Sequence, residues 1–295
     1  MQLSTIIVSF NTKDLLKKTI DSIPKKNDWE IIVVDNASRD GSPEMVASEY
    51  SNISLTKNKE NVGFGKANNQ GIKLCTGTYI LLLNSDTVVK AKALENLVKF
   101  MDENTDVGIA SGQLLNPDGT IQPQGGYLPR LTNIFFWMLF IDDIPIVGKY
   151  LWPYHINDRG FFTKARKIGW VAGTAMMIRR KVVEVIGDLD EEIFMYAEDV
   201  EYCLRVSKAG WRISLTPDAQ IIHYGQQSSG GTPKSAWLGE FRGLKYVFKK
   251  HKPAWEYPLV RVLLKMGAIL RMFFFGILLG RRAAYEAYKE AFSVA

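Results

Sequence analysis

The stretch TYILLLNSDTVV, residues 78–89, constrains the fold more than any other part of the chain. Residues 79–83 are an unbroken apolar run with no polar alternation. Such a run suits a strand covered on both faces, and it is far too short to cross a membrane. It ends in Asn84, Ser85 and Asp86. Small polar residues and a carboxylate at the end of a buried strand stand at the carboxyl edge of a sheet, where open α/β sheets bind ligands. Taken alone, these residues also fit an ordinary Asn/Ser/Asp turn.

The sequence around this stretch repeats the same plan. Strands are expected at 3–9, 30–34 and 53–56, with helices at 12–23, from Pro43, and at 63–74 between them. A helix at 91–103 follows the strand at 79–83. This β-α-β-α-β-α-β-α order predicts a parallel, doubly wound sheet. A strand at 107–115 meets the turn 116–119, so a hairpin returning through Ile121 is expected. Residues 127–167 lose the pattern and are rich in aromatics and Pro, as in a lid or an acceptor-docking segment. Strand character returns at 167–180 with Gly173 inside it, a mark of close approach by ligand or backbone. A helix from Glu198 to about Ala209, short strands at 211–215 and 219–223, and a helix at 232–250 complete the pattern.

With 295 residues, 46% of them apolar, the chain is able to bury a large core. The formal net charge of +6 favours anionic partners without identifying them, and no nucleic-acid partner is expected. Cys75 and Cys203 are the only cysteines and read as buried free thiols rather than a metal cluster. The first residues enter a strand pattern directly, with no basic leader, which predicts a cytoplasmic protein. Residues 258–280 carry charge only at Arg261, Lys265 and Arg271. On a helical wheel these fall within roughly 120° of one another, so a basic amphipathic helix is expected. It fits the surface of the inner face of the cell membrane. The alternative is a terminal helix docked on the protein's own core or on a second copy of the chain.

Three acidic clusters stand at expected strand or helix ends: Asp35, Asp86 and the pair Glu198–Asp199. Any one of them alone is an ordinary cap or turn. Together with His223, at the end of a later strand, they suggest one polar site along the sheet edge. No Gly-x-x-x-x-Gly-Lys phosphate loop, dinucleotide fingerprint or Gly-x-Ser-x-Gly elbow is present, which disfavours ATPases, dehydrogenases and serine hydrolases.

The motifs IIVSFN (6–11), VVDNASRDGS (33–42), NVGFGKANNQGI (61–72), LLLNSDTVV (81–89), WVAGTAMMIRR (170–180) and FMYAEDVEYCLR (194–205), with His223 and Ser228, follow one another in an order that resembles family 2 glycosyltransferases of the GT-A fold, close to bacterial rhamnosyltransferase-like members. The resemblance runs from residue 3 to about 230. It implies a GT-A catalytic domain at 1–230, with a small antiparallel part beside its mostly parallel sheet, and a C-terminal helical extension at 231–295. It also implies inverting transfer of a hexose or 6-deoxyhexose, such as rhamnose, from a dTDP- or UDP-sugar to a lipid-linked or polysaccharide acceptor. Asp35, with Ser9 and Asn11, would hold the base. Asn61, Gly63 and Lys66 would hold ribose or diphosphate at a helix start, and Asn84 and Ser85 would meet ribose hydroxyls. Asp86, with His223 as a further ligand, would hold Mg²⁺ or Mn²⁺. Asp199 would be the catalytic base, ionised at its helix start, with Glu198, Trp170 and Gly173 in the acceptor site. Arg159 or Arg166 would help neutralise the leaving group. The tip departs from the fuller Asp-x-Asp in having Asn84. A catalytically silent nucleotide-binding scaffold and a sugar-1-phosphate nucleotidyltransferase are the competing readings; the latter usually needs a Gly-rich, basic N-terminal loop, which Ser9-Phe10-Asn11 is not.

Overall fold

The computed structural model describes residues 1–144, 147–225 and 233–295. The chain opens with β1 (Leu3–Ser9), α1 (Lys13–Ser22), β2 (Trp29–Asp35), α2 (Ser42–Glu49), β3 (Ser54–Lys57) and α3 (Phe64–Ile72). It continues with β4 (Tyr79–Asn84), β5 (Thr87–Val89), α4 (Ala93–Glu103), β6 (Val107–Leu115) and β7 (Gly125–Gly126). Then come α5 (Leu131–Met138), α6 (Val147–Tyr150), β8 (Arg166–Lys167), β9 (Trp170–Val171), β10 (Ala175–Arg179), α7 (Arg180–Ile186), α8 (Glu198–Lys208) and β11 (Arg212–His223). α9 (Pro233–His251), α10 (Glu256–Arg271) and α11 (Arg282–Val294) close the chain.

The main sheet runs β3-β2-β1-β4-β10-β6-β11-β5, with β8 on β11, and β7 and β9 form a second small sheet. β3, β2, β1 and β4 are mutually parallel, and β10 enters antiparallel between β4 and β6. The apolar run of β4 has its explanation in the two faces it serves. Ile80 and Leu82 pack into one core cluster, while Tyr79, Leu81 and Leu83 pack into the other. Register then aligns the strand ends: Ser9 pairs with Asp35, and Val8 with Asn84, so the polar tips gather at one edge.

Four expectations change. Ile121 makes only an isolated bridge to Leu115, not a full hairpin. Residues 127–167 contain the helix α5, whose nearly all-apolar sequence LTNIFFWM hides the helical period; Ile134 and Met138 are buried. The two short strands at 211–215 and 219–223 are one strand, β11. A register shift between Thr216 and Gln220 absorbs Pro217, which has no N–H for the ladder. The C-terminal helix is broken: α10 stops at Arg271, passes into a wider π-helical segment at Met272–Leu278, and α11 follows.

The C-terminal helices share the core on one face of the sheet through Leu238, Phe241, Leu244, Phe248, Val260, Leu264 and Ala268. Arg271 is buried rather than on the polar face its spacing suggested. Its guanidinium donates to the carbonyls of Met138 (3.0 Å) and Trp137 (2.9 Å) and so fastens α10 to α5. The outward face of α10 is instead apolar, with Leu259, Val262, Met266 and Ile269 exposed. Among the described residues no helix is long and apolar enough to cross a membrane.

Candidate active site

A cavity of about 260 Å³ opens at the carboxyl edge of β1 and β4, lined by residues that include Phe10, Asn36, Asn61, Phe64, Asn84, Asp86, Gly173, Tyr196, Glu198, Asp199 and His223. Of the residues expected from sequence, Asn61, Asn84, Asp86, Gly173, Glu198, Asp199 and His223 therefore share one space. The topology is what brings them together. β11 ends beside the β4–β5 tip, where His223 pairs with Thr87 and the Tyr224 N–H donates to the Asp86 carbonyl at 2.9 Å. His223 Nε2 stands 3.3 Å from Asp86 Oδ1.

Asp199 lies in the first turn of α8 and accepts two backbone hydrogen bonds. Gly173 N–H donates to its Oδ2 at 3.0 Å and Val200 N–H to its Oδ1 at 2.7 Å. The helix start does not hold this carboxyl low. Burial raises its pKa, opposed by those two N–H groups, and so makes it a stronger base than a solvated Asp. Its neighbour Glu198 is buried, with Oε2 lacking a hydrogen-bond partner among the described residues, while Asp199 itself is half-buried. Burial first, and then the Asp199 charge, push Glu198 up to about 8. The pair thus tends to hold one proton, and the orphaned Glu198 oxygen is available to a hydroxyl in the cavity.

Tyr196 and Ala197, just before this pair, both sit at φ 70, a strained pairing for residues other than Gly. The extension buttresses them. α9 approaches so closely that a Cβ at Gly243 would lie 2.5 Å from Ala197 Cβ, and one at Gly239 would lie 2.5 Å from Tyr196 Cδ2. No pattern in the sequence signals this contact, which joins residues far apart in the chain.

Other expected residues sit around the cavity rather than in it. Asp35 is buried at the end of β2; its Oδ2 accepts from the Ser38 N–H at 2.9 Å, and its Oδ1 has no partner among the described residues. Asn11 is spent on the loop, its Oδ1 accepting from the Arg39 N–H at 2.8 Å. Ser9 and Ser85 are fully buried and turn beneath the edge to Thr12, whose hydroxyl donates to Ser85 Oγ at 2.9 Å. Gly63 has φ 89, and a Cβ there would lie 2.4 Å from the Phe194 carbonyl, so this turn requires glycine; it does not line the cavity. Its N–H and Asn36 Nδ2 both donate to Asn61 Oδ1. Lys66 is exposed on α3 and does not line the cavity. Trp170 is buried behind it, donating its indole N–H to the Tyr154 carbonyl at 2.9 Å. Arg159 and Arg166 do not line it either; Arg166 lies over the Phe161 ring. Ser228 lies outside the described residues. Sequence reasoning missed Phe10, Asn36, Phe64 and Tyr196, although the first three adjoin a residue it had singled out and Tyr196 stands two before Glu198.

The metal implied by the family resemblance was tested against the side chains. Among the described residues no group of three or more His, Cys, Asp or Glu side chains is placed to hold an ion. Asp86 and His223 are nonetheless a matched pair of O and N donors on one wall of the cavity. Two protein ligands suffice for Mg²⁺ or Mn²⁺ when substrate phosphates and water complete the shell, so the residues fit.

This sheet order, with the polar tips of β1, β2 and β4 at one edge and the Glu198–Asp199 pair in the same cavity, is that of the GT-A fold. The chain belongs to glycosyl transferase family 2, whose family model matches residues 4–187. It is 24% identical over 251 residues to the N-acetylglucosaminyl-diphospho-decaprenol L-rhamnosyltransferase of Mycobacterium tuberculosis, covering 81% of this chain and 80% of that protein. It is 26% identical over 231 residues to the rhamnosyltransferase WbbL of Escherichia coli, covering 74% of this chain and 82% of that protein. Among solved structures, the mannosyltransferase PcManGT of Pyrobaculum calidifontis, in complex with GDP-Man and Mn²⁺, superposes with a TM-score of 0.59 at 18% identity, covering 99% of this chain and 86% of that one. At that identity the likeness is one of fold.

Proposed function

We propose that the chain is an inverting glycosyltransferase that moves a hexose or 6-deoxyhexose, rhamnose foremost, from a dTDP- or UDP-sugar to a hydroxyl of a lipid-linked or polysaccharide acceptor. The observation that carries this reading is the shared cavity: a half-buried carboxylate, Asp199, lines the same 260 Å³ space as the Asp86–His223 pair. The names of the two rhamnosyltransferase relatives support the sugar, and the decaprenol-linked acceptor of one supports the acceptor class.

In this mechanism Asp199 takes the proton of the acceptor hydroxyl as that oxygen attacks the anomeric carbon. The bond from that carbon to the diphosphate breaks, its electron pair leaves with the diphosphate, and the configuration inverts. Gly173 and Val200 N–H groups hold the Asp199 carboxylate in place throughout. Neutral Glu198 offers a hydrogen bond to the acceptor beside it. At the far end, Asp35 Oδ1 is a buried acceptor suited to the imide N–H that uracil and thymine share. A divalent ion held by Asp86 and His223 would supply charge neutralisation for the departing diphosphate.

The exposed apolar face of α10 supports binding to a membrane surface, where a lipid-linked acceptor resides. Leu259, Val262, Met266 and Ile269 lie on that face, and Phe273 and Ile277 are exposed in the turns that follow. Each is about half exposed, so covering the remainder would contribute about 1 kcal/mol. Arg281 and Arg282 follow immediately, where anionic headgroups would attract them.

Incubation with a panel of UDP-, dTDP- and GDP-sugars, a membrane extract and Mn²⁺ tests the reading. Nucleoside diphosphate release with dTDP- or UDP-hexoses is the expected result. Tight nucleotide binding with no release from any donor would instead support a silent scaffold.

A further inference from the structure

A second cavity, about 710 Å³, lies between α9 and residues 192–196, and it shares Met195 and Tyr196 with the active site. Arg242, Lys245 and Lys249 line it from one face of α9. Their spacing of three and seven residues sets them within roughly 60° of one another over about 10 Å of helix. Tyr257 adds a hydroxyl, the Tyr246 hydroxyl donates to Asp190 Oδ2 at 2.8 Å, and Glu192 is the one carboxylate among the described lining residues. Of the neighbouring acids, Glu290 pairs with Lys234, and Asp190 pairs with Lys250 while accepting from the groove's Tyr246. Lys245 is half-buried and donates to the Val294 carbonyl. Burial, then the charges of Arg261, Arg242, Lys265 and Lys249, lower its pKa, as expected where positive charge gathers.

A cavity that concentrates cations beside a catalytic base is built for an anion. The donor diphosphate has its own place at the β4–β5 tip, so this second anion belongs to the other substrate. We infer that the groove of Arg242, Lys245 and Lys249 binds the phosphate or diphosphate that links the acceptor sugar to its lipid; the inference rests on the transferase reading above. Tyr257 ends the groove in the first turn of α10, and the exposed apolar face begins two residues later at Leu259. A phosphate seated here would place its sugar toward Asp199 past Met195 and Tyr196, and its hydrocarbon toward the surface that α10 presents.

The test uses farnesyl diphosphate, inorganic pyrophosphate and farnesol as probes, with binding followed by calorimetry in EDTA so that metal-assisted binding at the donor site is suppressed. The full chain is compared with R242E/K249E and with the charge-conserving R242K/K249R. Expected is binding of farnesyl diphosphate that R242E/K249E weakens at least tenfold, while R242K/K249R stays within about threefold and thermal midpoints agree. Equal binding of farnesol, or equal affinity in R242E/K249E, overturns the assignment. Pyrophosphate binding as tight as farnesyl diphosphate overturns the lipid source and leaves a site for soluble phosphates. Nucleotide release from sugar donors is measured on the wild type in parallel. If release is absent while the charge dependence holds, the transferase reading fails and the anion groove stands. If release is present and the charge dependence is absent, the groove alone fails.

Discussion

His223 Nε2 faces Asp86 Oδ1 at 3.3 Å, and the other nitrogen of the same ring is fixed by Gln122, whose Oε1 lies 2.7 Å from Nδ1. A chain of hydrogen bonds sets that orientation. Thr120 Oγ1 donates to Asp118 at 2.7 Å, Asn116 Nδ2 donates to Thr120 Oγ1 at 2.9 Å, and Gln122 Nε2 donates to Asn116 Oδ1 at 3.0 Å. Gln122 Oε1 is left to accept from Nδ1–H. In the neutral ring the Nε2 lone pair then points at a carboxylate oxygen, an arrangement that a shared cation satisfies.

Gln122→Leu removes the acceptor that holds the tautomer. Mn²⁺ affinity, read by metal titration of the nucleotide-bound protein, should fall ten- to a hundredfold, the range for partners of metal-ligating His. Asp86→Ala should abolish metal-dependent turnover almost completely. Unchanged Mn²⁺ affinity in Gln122→Leu would remove His223 from the ligand set.

Glu198 gives a pH signature. Its folded pKa is raised, to about 8, above the ordinary 4.5. The stability it contributes is complete below about 4.5 and is lost as pH rises through about 8. Other groups titrate across this window, so the useful quantity is the difference from Glu198→Gln, which cannot ionise. The thermal midpoint of the wild type should drop by several degrees more than that of Glu198→Gln between pH 5 and pH 9. Parallel curves would mean that Glu198 titrates normally.

Gly243→Ala probes the support behind the proposed catalytic pair. An added Cβ at 2.5 Å from Ala197 Cβ forces the strained 196–197 turn to move. Alanine gains about 1 kcal/mol of helix propensity over glycine, so a stabilised, fully active variant is the outcome to expect if the contact were loose. We expect kcat to fall at least tenfold with nucleotide affinity nearly unchanged.

Val262→Glu with Ile269→Glu tests the membrane surface. Both side chains are about half exposed, at 54% and 50%, so the fold should tolerate the change. Flotation with phosphatidylcholine–phosphatidylglycerol vesicles should be lost while turnover of a soluble acceptor persists. Vesicle binding at wild-type strength would assign this face to another partner.

Much of this was legible in the sequence. The apolar run at 79–83 fixed a central strand, and the polar tips after β1, β2 and β4 marked the edge where the cavity lies. Not every tip residue faces the cavity, because strand alternation turns Ser9, and the β4–β5 turn takes Ser85, under the edge toward Thr12. Arg271 misled for a related reason. Wheel position places it with Arg261 and Lys265, but carbonyls of α5, remote in sequence, draw it inward. The seat of α9 on residues 195–197 was beyond reach, since two glycines in a helix announce no partner.

The most direct test of the central claim is sugar transfer by Asp199→Asn. Amide for carboxylate preserves size and one of the two backbone hydrogen bonds but removes the base. Transfer should fall about 10²–10⁴-fold, the usual worth of general-base catalysis, while affinity for the nucleoside diphosphate stays within about twofold of wild type. Transfer at the wild-type rate would show that Asp199 does not take the acceptor's proton, and the proposed mechanism would be wrong.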